Sequence, residues 1–230
     1  MHFQIVSGND FLKSPRWTAS FFLEEEELPS AFPKVAVKSL VTERRASVDP
    51  RSLGDEIIHY VGLENIRSGT GELTGFSPRP ASDIKSRSKL FQVDDILFGR
   101  LRPELNKVLL VNDKLGSGLC SNEVIVLTPR CELIKPRLLR HLLASAFVMS
   151  KCAKLTVGAA LPRISSADLL EIEIPLPPLP VQERLTEHLA ELDRKLEVAR
   201  RTVDLLPSAI AEDLVRALAE GADEVSAEFS

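Results

Sequence analysis

The stretch IPLPPLPVQERLTEHLAELDRKLEVARRTVDLL, residues 174–206, changes character partway along, and that change sets the architecture. Pro175, Pro177, Pro178 and Pro180 lock φ and remove backbone donors, so Ile174–Pro180 reads as a stiff, extended connector. After it, Leu185, Leu189, Leu192, Leu196, Ala199, Val203 and Leu206 recur at alternating spacings of 4 and 3. That is a heptad seam sustained for about three heptads. Glu, Lys and Arg fill most other positions, so the remaining faces are solvated. At 1.5 Å per residue the seam spans roughly 33 Å. A seam this narrow suits a second helix better than a broad core. The alternative is an amphipathic helix packed on its own domain.

Working outward, 230 residues accommodate one large domain or a domain with an appendage, and 44% hydrophobic residues suffice for a core. The expected organisation is an N-terminal arm over 1–33 and a domain over 34–176. A connector and helix follow over 177–220, then a frayed tail over 221–230. Pro207 is expected to kink or interrupt the helix. In the arm, Trp17, Phe21 and Phe22 must bury against the domain or a partner.

The net charge of −4 hides an asymmetry. Residues 34–163 hold 21 Lys+Arg against 13 Asp+Glu, a net of +8. Residues 181–230 hold 6 against 12, a net of −6. A basic body suits a polyanionic partner. No apolar run approaches the roughly 18 residues of a membrane span. Residues 1–10 lack the basic-then-apolar order of a secretory signal. Cys120, Cys131 and Cys152 are odd in number and widely spaced, as expected of buried thiols in a reducing cytoplasm. His2, His59, His141 and His188 are scattered and no CxxC occurs, which argues against zinc.

The body reads as mixed α/β. Lys34–Val41 is a short strand or the start of a helix, and Glu56–Leu63 a strand. Residues 67–83 form a long Gly/Pro-rich loop. In Ile84–Leu90, Lys85, Arg87 and Lys89 recur at period two and would share one face of an extended segment, a solvated edge strand being the plain alternative. Asp94–Leu101 and Asn106–Val111 read as neighbouring strands joined by a connection carrying Arg100, Arg102 and Lys107. Glu123–Leu127 is a further strand. Pro136–Leu155 is a helix with Pro at its start. After a Gly-led loop at 158–165 that carries Arg163, Ser165 or Ser166 caps a short helical turn. Glu171–Leu176 is the last strand.

Catalytic signatures are missing. There is no GxxxxGK[ST], GxSxG or HExxH, and no Asn/Asp-Pro-Pro-aromatic segment. Asp94–Asp95 and Glu171/Glu173 are carboxylate pairs that could hold Mg²⁺, but both sit at strand ends and nothing else demands a catalyst.

Several stretches together resemble the DNA-specificity (S) subunits of type I restriction-modification systems. They are YVGLENIRSG at 60–69, DILFGRLRPELNKVLLV at 95–111, GLCSNEVIVLTP at 118–129, PRLLRHLLAS at 136–145, GAALPRIS at 158–165 and IPLPPLPVQERL at 174–185. The resemblance implies a DNA-binding module, a target-recognition domain that reads one half of a split site in double-stranded DNA, followed by a spacer helix; the alternatives are the recognition-and-tail part of a methyltransferase or nuclease, and a structural adaptor of a defence complex. It implies a non-catalytic chain in the cytoplasm without a cofactor of its own. A methyltransferase (modification) subunit would supply S-adenosylmethionine, and often a restriction subunit joins; ATP and Mg²⁺ are also expected on partners. The family's usual chain carries two recognition domains and two spacer helices, and this sequence has one of each. A homodimer through Leu185, Leu189, Leu192, Leu196, Ala199, Val203 and Leu206 is therefore expected. Lys85, Arg87, Lys89, Arg100, Arg102, Lys107 and Arg163 are the expected DNA contacts. Base readout needs such donors on loops held by a rigid scaffold.

Overall fold

The computed structural model describes residues 30–158 and 160–228, with side chains to 218. The expected burial of Trp17, Phe21 and Phe22 lies outside the described residues. The chain divides into two compact units, one ending at Arg184 and the other starting at Leu185.

The first unit is mixed α/β and is built around a buried antiparallel sheet. Its strands are β2 (Val41–Glu43), β8 (Ile96–Gly99), β9 (Val108–Leu110) and β11 (Val124–Pro129), in the order β2-β11-β8-β9. Ile96, Leu97 and Phe98 are all buried, as are Val124 through Leu127. Continuous apolar runs of this kind are buried on both faces of a sheet. Alternate residues feed two cores. Ile96, Phe98, Ile125 and Leu127 face the helices α2 (Pro136–Leu143), α3 (Ala146–Leu155) and α4 (Ser166–Glu171). Leu97, Val124 and Val126 join Val61, Phe91 and Cys120 of a second sheet. That sheet has the order β3-β7-β10-β5, formed by Ser47–Val48, Ser88–Phe91, Gly118–Cys120 and Tyr60–Val61. The mixed α/β expectation holds.

Two small antiparallel pairs complete the unit. β4 (Ile57–Ile58) pairs with β6 (Arg79–Pro80). β1 (Lys34–Ala36) pairs with β12 (Glu173–Pro175), Val35 opposite Ile174, so the first described strand is hydrogen-bonded to the last. β1 runs directly into a one-turn helix α1 (Val37–Leu40), so Lys34–Val41 is both strand and helix.

Local departures from the sequence reading have identifiable causes. The expected strand Glu56–Leu63 is divided at His59 into β4 and β5, which belong to different sheets. The His59 carbonyl accepts from Leu119 N–H at 2.8 Å instead of continuing one ladder. The expected helix over 136–155 breaks at Ala144–Ser145. Ser145 Oγ takes the Val148 N–H at 3.3 Å as an N-cap and donates to the Leu142 carbonyl at 2.6 Å. A serine that can bond its own backbone in this way favours a cap over a helix interior. Ser165 caps α4, accepting from Asp168 N–H at 3.0 Å. Cys120 and Cys152 are buried, and burial pushes each thiol up to about 12. Cys131 is exposed, against the expectation of three buried thiols.

The second unit belongs to α5 (Leu179–Glu228), a single helix of 50 residues whose first turn lies in the first unit. It starts two residues before the expected point, with Pro180 in a first turn where a missing N–H costs nothing. Pro207 lies inside the helix without ending it, so of the expected kink or interruption the interruption does not occur. The bond it forgoes would end on the Val203 carbonyl, on an exposed turn where water can take over. The helix also runs through most of the expected frayed tail, a stretch containing the good helix formers Ala222, Glu224, Ala227 and Glu228.

Gln182 fixes the start of α5. It is buried, its Nε2 donating to the Leu133 and Pro177 carbonyls at 2.9 and 2.8 Å and its Oε1 accepting from Lys135 N–H at 2.9 Å. Gln182→Ala leaves three buried or partly buried backbone groups unmatched and is expected to cost about 2 kcal/mol. Urea unfolding of the purified variant checks this. A change below about 0.5 kcal/mol, the usual size for a surface substitution, would show that water replaces the amide.

Candidate nucleic-acid interface

The loop between β8 and β9, GRLRPELNK at 99–107, is held on every side. Two of its residues, Arg102 (φ 50°) and Asn106 (φ 49°), are left-handed and bracket a 3-10 turn at Pro103–Leu105. Such a conformation is uncommon outside glycine and persists when surrounding contacts enforce it. Arg102 N–H donates to the Pro162 carbonyl at 2.8 Å, and Leu101 bridges Arg163. Asn106 Nδ2 donates to the Ala144 carbonyl at 2.7 Å, the carbonyl that the α2–α3 break sets free. Gly69 N–H donates to the Asn106 carbonyl at 3.0 Å, and Lys107 Nζ to the Leu63 carbonyl at 2.5 Å. Arg140, on α2, donates from Nε to the Val108 carbonyl at 3.1 Å and from its Nη2 to the Thr70 carbonyl. Asn65 accepts from Gly62 N–H at 3.0 Å and donates to the Thr74 and Gly75 carbonyls. The sequence stretches at 60–69, 95–111, 136–145 and 158–165 thus meet at one place.

Gly71 shows how tight the junction is. Its φ is +66°, and a Cβ there would overlap the Val108 carbonyl oxygen and press on Arg140. The rigid loop presents Arg102 to solvent, paired with Glu104 at 3.2 Å, next to a 157–163 segment with exposed Val157 and Leu161.

The seven expected basic residues fall into three groups. Lys89, Arg100 and Arg163 gather around Glu123. Arg163 clasps the Glu123 carboxylate with Nε at 3.0 and 3.1 Å and Nη2 at 2.8 Å. Those bonds hold the Glu123 carboxyl below its ordinary range, with Arg100 and Lys89 adding to the effect. Lys89 is half-buried, donates to the Val124 carbonyl at 2.6 Å, and is pushed down by desolvation. Arg100 Nε is buried without a hydrogen-bond partner, while the Arg100 backbone ties Glu123 to Ile164.

Lys85, Arg87 and Arg102 are exposed. Arg87 donates to Ser47 Oγ at 2.9 Å and leans on the Ser47 carbonyl. Lys107, last, has its ammonium on a backbone carbonyl inside the junction. The expected shared face of Lys85, Arg87 and Lys89 does not form: the strand begins only at Ser88, and Lys89 reaches toward β11. Nor is β7 an edge strand, since it lies between β3 and β10.

Residues that the sequence reading passed over organise this surface. Glu123 is one, and its only signal was an acidic residue at the start of an apolar strand. Arg140 is a polar residue set among leucines, a pattern that points to a buried hydrogen-bonding role, whereas Asn65, between Glu64 and Ile66, carries no such signal. The Mg²⁺ possibility at Asp94–Asp95 is displaced by structure. Asp94 forms a left-handed turn, and Asp95 is fully buried among Arg44, Thr128 and Gln92. Among the described residues no group of three or more His, Cys, Asp and Glu side chains is placed to hold a metal. No helix described is long and apolar enough to cross a membrane.

Comparison with known proteins agrees with this arrangement. Residues 84–204 match the family described as the type I restriction modification DNA specificity domain. Over 135 residues the chain is 28% identical to the type I restriction enzyme EcoDI specificity subunit of Escherichia coli, covering 58% of this chain and 29% of that protein. The HsdS subunit of Thermoanaerobacter tengcongensis superposes with a TM-score of 0.65 at 26% identity, over 76% of this chain and 45% of the other. A structure concerning complex assembly and conformational transition of the type I R-M system gives the same TM-score and coverage at 25% identity. The chain thus spans less than half the length of each of these relatives. The match takes in more than half of the chain, from the basic loops into the seam helix, and the chain belongs to the type I restriction modification DNA specificity domain family.

Proposed function

We propose that this chain is a DNA-specificity subunit that reads one half of a split site in double-stranded DNA and directs a methyltransferase subunit to it. The first unit carries the readout and α5 pairs with a second copy. The observation that carries the proposal is the family match across 84–204, which includes Arg100, Arg102, Lys107, Arg163 and most of the seam. A junction this constrained supports the reading, because base contacts need donors on loops with little freedom. The chain itself catalyses nothing. S-adenosylmethionine, ATP and Mg²⁺ belong to partner subunits, a restriction subunit among them where cleavage occurs, and the complex works in the cytoplasm.

The seam supports the pairing. Leu185, Leu192, Leu196, Val203 and Leu206 are between 37% and 60% exposed, a stripe open to a partner helix. A closed solution is a twofold pair. Two identical recognition units related by a dyad read an interrupted palindrome.

Two measurements test the readout. Arg102→Ala and Arg163→Ala are expected to weaken binding to the cognate duplex. A phosphate contact lowers the salt slope by about one unit, and a base contact costs about 1–3 kcal/mol and relaxes one position. If both variants keep wild-type affinity and slope, these residues do not touch DNA. Calorimetry with S-adenosylmethionine on the chain alone is expected to give no heat of binding, and measurable binding would overturn the non-catalytic assignment.

A further inference from the structure

Resting on that reading, the charges beside the seam decide how two copies would align. We propose that α5 pairs antiparallel with a second copy in one register, its twofold axis passing between Glu197 and Val198. Asp193 of each copy then lies against Arg200 of the other.

The exposed apolar stripe extends one step beyond Leu206 to Ile210, which is 66% exposed. It is closed by a polar residue at each end. Gln182 occupies the next seam position before Leu185, and its amide is already committed inside the first unit. Asp213 occupies the next seam position after Ile210. Gln182 and Asp213 are equidistant from the point between Glu197 and Val198. An antiparallel pair centred there covers the whole stripe: Leu185 meets Ile210 of the second copy, and at the centre Leu196 meets the small Ala199, large against small. A shift by one heptad in either direction loses this. One shift leaves Leu206 and Ile210 without apolar partners, and the other sets Leu189 against Asp213.

The flanking positions select the same register. In an antiparallel coiled coil the positions beside the seam face their own kind across the interface, and charges there set orientation and partner. On one side these are Thr186, Asp193, Arg200 and Pro207, and on the other His188, Lys195 and Thr202. In the centred register Asp193 faces Arg200 twice, by symmetry, and Lys195 faces the neutral Thr202. One heptad shift puts Asp193 against Asp193 and Lys195 against Lys195. The opposite shift puts Arg200 against Arg200. Parallel pairing in register sets Lys195 against Arg200. Each alternative meets at least one like-charge contact, and such contacts discriminate through repulsion. Lys195 is paired with Glu191 at 2.7 Å and Arg201 with Glu197 at 3.5 Å on the same helix.

Sedimentation equilibrium on the full chain tests the register with Asp193→Arg, Arg200→Asp and the double charge swap. Circular dichroism of each variant confirms that the helix is kept. Each single change turns two attractive contacts into two repulsive ones and is expected to raise the dimer dissociation constant about tenfold. The double swap is expected to return to within about threefold of wild type, and about 1 M NaCl to bring all four proteins together. Either shifted register predicts that both single variants behave as wild type, and parallel pairing predicts that Arg200→Asp tightens the dimer. Either result would overturn the register while leaving the homodimer standing. A wild-type chain that is monomeric at micromolar concentration would overturn both.

Discussion

Asp95→Ala is expected to cost the first unit about 3 kcal/mol of stability, the range for removing one partner of a buried ion pair. The Asp95 side chain is fully buried. Its Oδ2 accepts from Arg44 Nε at 2.7 Å and Gln92 N–H at 2.8 Å, and its Oδ1 from Thr128 Oγ1 at 2.5 Å. Arg44 is itself about three-quarters buried, so losing the carboxylate strands a cation beside the central sheet. The contacts join β2, the turn before β8 and β11, three parts of one layer. Asp95→Asn keeps the shape and removes the charge, and is expected to fall between wild type and Asp95→Ala. Urea unfolding followed by circular dichroism measures both. A loss below about 1 kcal/mol for Asp95→Ala would mean that water or a rearranged Arg44 replaces the carboxylate, as happens at solvated pairs.

Leu192→Glu together with Leu196→Glu is expected to abolish self-association at micromolar concentration. In a twofold pair each substitution counts twice, so four buried leucines are replaced by four carboxylates facing a dry seam. Burying one leucine contributes roughly 1.5–3 kcal/mol, and placing an unpaired charge there costs further. The dissociation constant should therefore rise by more than about a thousandfold, which corresponds to about 4 kcal/mol. The first unit should be untouched, because both leucines lie in the separate unit that begins at Leu185. Sedimentation velocity with a denaturation curve on the same sample reads both quantities. A variant that sediments as wild type would remove the seam from the interface.

The strands and the seam were legible in the sequence because each carries a strong periodic signal. The apolar runs ILF and VIVL mark the two central strands, and the 4-3 leucine spacing marks α5. What escaped was set by tertiary partners. β10 is a three-residue strand, Gly118–Cys120, too short for any period, and its place between β7 and β5 comes from both neighbours. Its Gly118 is packed so closely that a Cβ would strike the His59 carbonyl. The helix break at Ser145 depends on a capping choice that a helical pattern does not announce. Among the candidate contacts, Lys89 alternates correctly with Arg87 on paper, yet the strand starts only between them. Lys107 looks like a surface cation until Leu63 supplies its acceptor. Glu123 carried only the weak signal of an acid at a strand start, because its partner Arg163 is distant in sequence.

Two copies of this chain are proposed to read an interrupted palindrome. Co-expressing the chain with a methyltransferase subunit of its system, and sequencing the modified sites across a genome, tests it most directly. The account predicts one methylated sequence made of two inverted identical half-sites separated by a fixed spacer. A methylated site whose halves differ, or a single uninterrupted half-site, would contradict it.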